Sequence, residues 1–332
     1  MHMADALLSP AVGATMWALS AGGAGYGIKK ITESDLSEKK LPVMAVSGAF
    51  VFAAQMINFT IPGTGSSGHI GGGILLAMLL GEFPALLTIA SVLLIQCLLF
   101  ADGGLLALGA NIFNMGIVPC LIVFPFIRMI MKKQITRKKL MFTSIIGPIA
   151  GLQIGAFCVV IETLISGITE LPFGTFVALM QPIHLAIGLG EGIVTGAVVL
   201  FVWQMRPEII ESSIMKEKIK KAVSLKRFVL ILAVLTVFIG GGLSLYASSH
   251  PDGLEWSMEK TAGTTELENN DKIHSVSALI QEKLSLLPDY DFKSEQGKGT
   301  SFSGVVGAGV TCALALGLGG IISLVKRKQK KI

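Results

Sequence analysis

The chain has 332 residues, 52% hydrophobic and only 15% charged, with 39 glycines and a net charge of +5. A water-soluble domain carries roughly a quarter of its residues as charges, so the composition excludes an ordinary soluble enzyme. It points to a chain that meets lipid.

Taken in order, continuously apolar runs fall coarsely at 7–28, 41–60, 69–82, 84–103, 105–131, 141–166, 174–205, 227–248 and 302–325. Runs of about 20 residues cross a hydrocarbon core of ~30 Å as helices. Barrel strands would alternate with period 2, and these runs do not. The fold expected is an all-α integral membrane protein with about nine transmembrane helices. The third run, His69 to Glu82, is short and glycine-rich and reads as a half-helix or re-entrant piece. The first begins Met1-His2-Met3-Ala4-Asp5 with no basic residues before it, and its first lysine follows the apolar run. It therefore reads as retained, with Met1 at or near the mature start, and not as a removable signal peptide.

Charge gives the orientation. Of 27 Lys and Arg, four lie at 29–40, six at 128–139, seven at 206–227 and five at 326–331. Nine helices with an outside N-terminus put all four clusters on one face, which the positive-inside rule makes cytoplasmic. The C-terminus is then cytoplasmic as well. The loops 61–68, 101–104 and 167–173 fall outside and contain no Lys or Arg. The segment 249–300 also falls outside, with ten acids against five lysines. Membrane orientation accounts for the basic excess and leaves no support for a nucleic-acid partner.

A boundary is expected in the charged stretch 207–226, too polar to be buried. It separates a seven-helix domain, 1–206, from a two-helix module, 227–332, that carries the external loop 249–300. Within that loop, Ile273, Val276, Leu279, Ile280 and Leu284 have the spacing of a short amphipathic helix over 272–286. The four cysteines (Cys97, Cys120, Cys158, Cys312) lie inside apolar runs at unrelated spacings, with no metal or disulfide pattern. The scattered methionines read as core packing.

Gly63-Thr64-Gly65-Ser66-Ser67-Gly68 matches GxGxxG in letters, and His69 stands where a P-loop needs its lysine. A nucleotide site requires a strand–loop–helix setting and that lysine, so no nucleotide is expected on this chain. The loop falls on the same face as the N-terminus, which begins Met1-His2. A free terminal amine, the His2 amide nitrogen and the His2 imidazole Nδ1 can bind one ion through a five- and a six-membered chelate ring. An outside imidazole completes a square, and His69 is the candidate. Such tetragonal nitrogen sites suit Ni(II) or Cu(II). The alternative reading makes His2 a frayed terminal residue and His69 a capping residue. Inside the apolar runs lie Gln55, Asn58, Gln96, Asp102, Asn111, Asn114, Glu162, His184 and Glu191. Such groups face the bundle interior. His184 and Glu191, seven apart, share a helical face. As ligands, as groups that orient ligands, or as helix–helix hydrogen bonds, both remain open.

The start, Met1-His2-Met3-Ala4-Asp5-Ala6-Leu7-Leu8-Ser9-Pro10, resembles that of the cobalt/nickel M components (CbiM/NikM family) of energy-coupling factor transporters, with Ala6 where the family commonly has Gly. Further blocks in the same order are Phe52 to Phe59, Gly63 to His69, Ala101 to Asn111, Asn114-Met115 and His184 to Gly192. The tail segment His250-Pro251-Asp252-Gly253-Leu254-Glu255-Trp256 is similar to a PDGLE-type N component fused to M, as in NikMN-like chains. The resemblance implies a plasma-membrane substrate-binding component that takes up Ni(II), or alternatively Co(II), as transported substrate. It implies Met1, His2 and His69 as metal ligands; Gln55, Asn58, Ser67, His184 and Glu191 stand beside them as candidates for orienting those ligands. It also implies partners: cytosolic ATPase subunits and a membrane coupling (T/Q) subunit. Two rivals stand beside it. An intramembrane hydrolase needs a nucleophile motif or HExxH pair, and neither is present; an organic-vitamin carrier is distinguished by metal content.

Overall fold

The structure is a computed structural model that describes residues 1–33, 40–216, 224–267, 269, 271–293 and 297–329. The expected cytoplasmic stretch 207–226 lies partly outside these residues, as do Lys39 and the extreme C-terminal lysines.

The first helices are α1 (Pro10–Glu33) and α2 (Lys40–Gln55), followed by a hairpin of β1 (Phe59–Ile61) and β2 (Ser66–Gly68). The hairpin is antiparallel, with Thr60 opposite Ser67. Then come α3 (Gly73–Leu80), α4 (Glu82–Phe100), α5 (Leu108–Ile112) and, after a π-helical stretch Phe113–Val123, α6 (Phe124–Met131). The long hairpin α7 (Arg137–Ser166) and α8 (Phe173–Met205) precedes α9 (Pro207–Ile214) and α10 (Lys226–Gly241). Last are α11 (Gly253–Ala262), α12 (Lys272–Leu284) and α13 (Thr300–Gln329).

The helical membrane fold read from the sequence is the fold observed, and all nine apolar runs are helical over most of their length. Among the described residues, six helices are long and apolar enough to span a bilayer. The other three runs depart for stated reasons. Helix α1 is long enough, but Gly, Ala, Ser and aromatic residues dilute its apolarity. Helix α2 has 16 residues, because the chain leaves the helix at Met56 to build the hairpin. Helix α3 has only eight residues, about 12 Å of rise, so it is the half-helix expected. It ends at Gly81, whose φ of +85° turns the chain directly into α4. Outward-facing apolar side chains such as Phe126, Ile165, Ile193 and Leu230 are exposed, which is the lipid-facing pattern of a spanning bundle. All four cysteines are free thiols.

Close helix approach in α7–α8 depends on glycine. A Cβ at Gly188 would lie 2.9 Å from the Ile149 Cα, and one at Gly192 would lie 2.8 Å from the Ile145 Cα. At the end of the bundle where α3 meets α4, Glu82 pairs with Arg128 at 2.6 Å and Lys216 at 3.2 Å. The Ser213 hydroxyl donates to the Met78 carbonyl there. The beginning of the 207–226 stretch, expected to be too polar for burial, is therefore packed: α9 buries Ile209, Ile210 and Ile214. Its apolar residues are spaced for one helical face, and the neighbouring charges obscured that.

At the opposite end, residues 1–9 turn into the bundle instead of fraying. Met1, Met3, Leu7 and Leu8 are buried. The Met3 amide donates to Asn111 Oδ1 at 2.8 Å, and the Met3 carbonyl accepts from the Gly104 amide at 2.9 Å. The segment between α10 and α13 lies over this end as a cover. Helix α12 does form, but its apolar residues Ile273, Val276, Leu279, Ile280 and Leu284 are exposed, while His274 and Ser277 face the body. An amphipathic reading would have turned it the other way.

Candidate metal site

Each site residue reaches its place by a local device. The N-terminal segment is pinned by Asn111 on α5, just before the π-helical stretch, and π-helical turns recur at functional sites. The glycine loop is pinned from beneath by Glu191. Its two carboxylate oxygens accept the amides of Gly71 and Gly72, each at 2.9 Å. Gly72 has φ +77°, a conformation that turns its amide inward and that side chains rarely adopt. These devices bring His69 and Met1 together: the Met1 amine lies 3.2 Å from His69 Nε2. The His2 and His69 rings stack with centroids 5.2 Å apart.

Hydrogen-bond direction fixes both imidazole tautomers, because carbonyl oxygens only accept. His69 Nδ1 donates to the Ile70 carbonyl at 3.0 Å, leaving a lone pair on Nε2 toward the Met1 amine. For His2 the direction is set by a relay. Gln55 Nε2 donates to the Gly71 carbonyl at 2.8 Å, so Gln55 Oε1 accepts from Gln96 Nε2 at 2.9 Å. Gln96 Oε1 then accepts from His2 Nε2 at 3.1 Å. With Nε2 protonated, Nδ1 is the lone-pair atom of a neutral His2. It faces Asp102 Oδ1 at 3.1 Å, and two acceptors that close require a proton or a cation between them.

The cover supplies charge and donors. Asp252 Oδ2 accepts from the Met1 amine at 2.5 Å. Asp252 is also the N-cap of α11, in a capping box with Glu255. The Tyr290 hydroxyl donates to Asp102 Oδ2 at 2.5 Å. The Ser67 amide donates to the Pro251 carbonyl at 2.8 Å, and Trp256 Nε1 donates to the Thr64 carbonyl at 3.0 Å, so the cover adds to the hairpin edge. His274 Nε2 donates to the Asp5 and Leu8 carbonyls, and Gln281 donates to the Gly103 carbonyl at 2.7 Å. Between cover and bundle lies a cavity of about 700 Å³ that reaches His2, His69, Asp102, Asp252 and Glu255.

Electrostatics keep the imidazoles available. Desolvation, with the Met1 amine and His2 nearby, holds His69 down at about 3. Desolvation also lowers His2, opposed by Asp102. For Asp252, desolvation works against the charge, but the Met1 amine and His69 prevail and hold its carboxyl well below the usual range. The site thus combines unprotonated nitrogens with carboxylates, a donor set for a divalent cation.

Of the sequence candidates, Met1, His2 and His69 are brought together, and Gln55 joins them through Gln96. Glu191 supports the loop backbone instead of facing the His2–His69 pair. Ser67 bonds the cover, through its amide and by its hydroxyl to the His250 carbonyl at 2.8 Å. Asn58 borders the large cavity and accepts the Ser248 amide through its carbonyl. His184 borders a separate small void beside Met1 and His69. Asp252 and Tyr290 were not singled out by the sequence, and Gln96 and Asp102 were noted only as intramembrane polar groups. Among the described residues no three His, Cys, Asp or Glu side chains form a metal cluster; the set here needs the terminal amine.

Residues 2–209 match the family described as the cobalt uptake substrate-specific transmembrane region, and residues 226–324 match the PDGLE domain. The chain is 33% identical to a putative fused nickel transport protein, NikMN, of Archaeoglobus fulgidus, over 96% of this chain and 98% of that one. It is 30% identical to a probable fused nickel transport protein, LarMN, of Lactiplantibacillus plantarum, over 78% and 79%. Among solved structures, a truncated transition metal transporter matches with a TM-score of 0.55 at 30% identity, over 62% of this chain and 99% of that one.

Proposed function

The chain belongs to the cobalt-uptake family of substrate-specific transmembrane components, and from that premise we propose that it captures Ni(II), with Co(II) as the alternative, at Met1, His2 and His69. It is a multi-pass membrane component of metal uptake. The observation that carries the site is the inserted N-terminus, with its amine 3.2 Å from His69 Nε2 and the two imidazoles stacked. The ion takes the Met1 amine, the His2 amide nitrogen, His2 Nδ1 and His69 Nε2. The Met1 ammonium and the His2 amide each lose a proton to bind, and the two imidazoles bind as the neutral ring.

In the metal-free arrangement the amine and both imidazole donor atoms already have partners. The amine rests on Asp252 and His2 Nδ1 on Asp102. Loading replaces the ammonium–carboxylate and proton-sharing contacts by the ion. The cover, which owns Asp252 and steadies Asp102 through Tyr290, assists this exchange. Residues 1–206 then act as the capture domain, 207–226 as a cytoplasmic linker and 227–332 as the module that presents the cover. The glycine loop lacks the lysine of a phosphate site, so ATP is hydrolysed by separate cytosolic subunits acting through a membrane coupling subunit. They reorient the bundle and release the ion inward. The basic clusters support an outside N-terminus, and cytosolic labelling of a cysteine at position 275 would refute that orientation.

The deciding experiment compares bound nickel per chain for the native protein and for one carrying a Gly-Ser extension before Met1. The extension turns the amine into an amide and fills its space, so binding is lost. Equal stoichiometry and affinity would overturn the site.

A further inference from the structure

Glu162 belongs to α7 and is only 6% exposed. Its Oε2 accepts from Asn114 Nδ2 at 2.9 Å. The same nitrogen donates to Met3 Sδ at 3.9 Å, and the two acceptors together fix how the Asn114 amide is turned. Oε1 is buried and has no hydrogen-bond partner among the described residues. No cation among them pairs with this carboxyl. A lone carboxylate is costly in apolar surroundings, so the group is the neutral acid. With Oε2 accepting, the proton sits on Oε1. A buried hydroxyl is thus left without an acceptor, and such a group asks for an explanation.

Beside it opens a cavity of about 490 Å³ between α1, Phe113 and α7, with Val12, Met16, Phe157 and Ile161 in its walls. Its rim residues Ala11, Thr15 and Ile165 are exposed, so it opens sideways on the face that meets lipid. The Thr15 hydroxyl is already spent on the Ala11 carbonyl at 2.8 Å. The acid therefore offers this apolar space an unused strong donor.

Depth selects the occupant. Helix α7 has 30 residues, about 45 Å of rise. That matches a bilayer with its interfacial layers around a ~30 Å hydrocarbon core. Glu162 stands four residues before Ser166, the end of the helix, about 6 Å in from it. This is the boundary of the core, where the ester carbonyls of a phospholipid lie.

We infer that the cavity binds one acyl chain of a diacyl phospholipid from the leaflet at that end, with the lipid's ester carbonyl accepting from Glu162 Oε1–H. The bound lipid steadies Asn114 and, through Met3 Sδ, the inserted N-terminal segment. The inference needs only that the chain crosses the membrane, and it stands apart from metal capture.

The test offers the full chain two phosphatidylcholines of equal chain length, one diacyl and one dialkyl ether without ester carbonyls. Retained lipid is counted by native mass spectrometry. The native chain should keep one diacyl lipid, preferred up to about 10-fold over the ether, the size of one hydrogen bond. Glu162→Leu should lose the preference, and Glu162→Gln, whose amide still donates, should keep it. Ala11→Phe leaves the acid untouched and fills the cavity mouth, so it should lose both lipids. If Glu162→Leu does not fold, Ala11→Phe and the ether comparison still decide. Equal retention of the two lipids by the native chain overturns the proposal, as does a preference that survives Glu162→Leu or Ala11→Phe. A coupling subunit that binds the native chain but not Ala11→Phe, with diacyl lipid retained equally by both, also overturns it, because a protein then fills the cavity.

Discussion

Helices α8 and α12 both turn polar side chains toward the protein, but for different reasons. In α8, His184 and Glu191 face inward while Ile193, 64% exposed, faces outward, toward lipid. In α12, His274 and Ser277 face inward while Leu279, 55% exposed, faces out on a segment assigned to the water side. What α12 covers explains the inversion. Beneath it lie the carbonyls of Asp5, Leu8, Cys97 and Gly103, which accept from His274 and Gln281 where the N-terminal segment and the helix ends abandon regular structure. Buried carbonyls require donors, and only the polar face of α12 has them. The bundle therefore supplies buried, unprotonated imidazole nitrogens, and the cover supplies the groups that hold irregular backbone and balance charge.

The sharpest way to break this division is to remove nitrogens from the bundle. His2→Ala removes one imidazole and a chelate ring, and His69→Ala removes the outside donor. Both should abolish stoichiometric nickel retention in equilibrium dialysis, with His2→Ala the worse. A smaller loss is expected from Gln96→Leu, which touches no donor atom. It frees the His2 tautomer and should weaken nickel binding by about 10- to 100-fold, while a titration of Gln96→Glu recovers part of it because the carboxylate still accepts from His2 Nε2.

On the cover, Asp252→Asn removes the charge opposite the amine. Breaking a partly buried pair of this kind costs up to about 3 kcal/mol, so amine-reactive labelling of Met1 in metal-free protein should speed up by at least about tenfold. Unchanged labelling would mean that the bundle alone seats the terminus.

The smallest effect should come from pH, and its sign separates the two regions. Desolvation opposes a charge on His274, but Asp271 and the Leu8 and Asp5 carbonyls prevail and raise it above its ordinary 6.5. A raised histidine stabilises fully below the unfolded value and loses that contribution as pH climbs through the folded one. The contact is worth about 1 kcal/mol, so hydrogen exchange in α12 should increase modestly above neutrality and do so less in His274→Gln. His2 and His69 are held below 6.5. They cost stability only as pH falls beneath that value, so nickel competition by imidazole protonation should appear only on the acid side.

The bundle was legible because apolar runs, basic clusters and glycines each report one physical constraint over many residues. The meeting of Met1-His2 with His69 was legible because Met1-His2 has chemistry of its own and His69 interrupts a glycine loop on the same expected face. Gln96 was not, since a lone amide in an apolar run looks the same whether it bridges helices or sets a tautomer; only its place between Gln55 and His2 decides. Asp252 was hidden for a similar reason. As an N-cap before α11 it satisfies a local rule completely, and nothing local hints that its second oxygen meets residue 1. The helix α12 was legible, but its orientation was not, because spacing reveals an apolar face but not whether the surface below offers hydrocarbon or carbonyls.

That contact between Met1 and Asp252 closes a loop of 251 residues, and it ties function to the order of synthesis. Contacts so far apart in sequence are the last to be rewarded during folding. Met1 must wait for α10 to insert and the cover to follow before its amine is seated. A nascent chain halted at 206 would present its nitrogens without the carboxylate that holds the terminus down. The seating of the N-terminal amine thus depends on the synthesis of the cover as well as on the fold of the bundle.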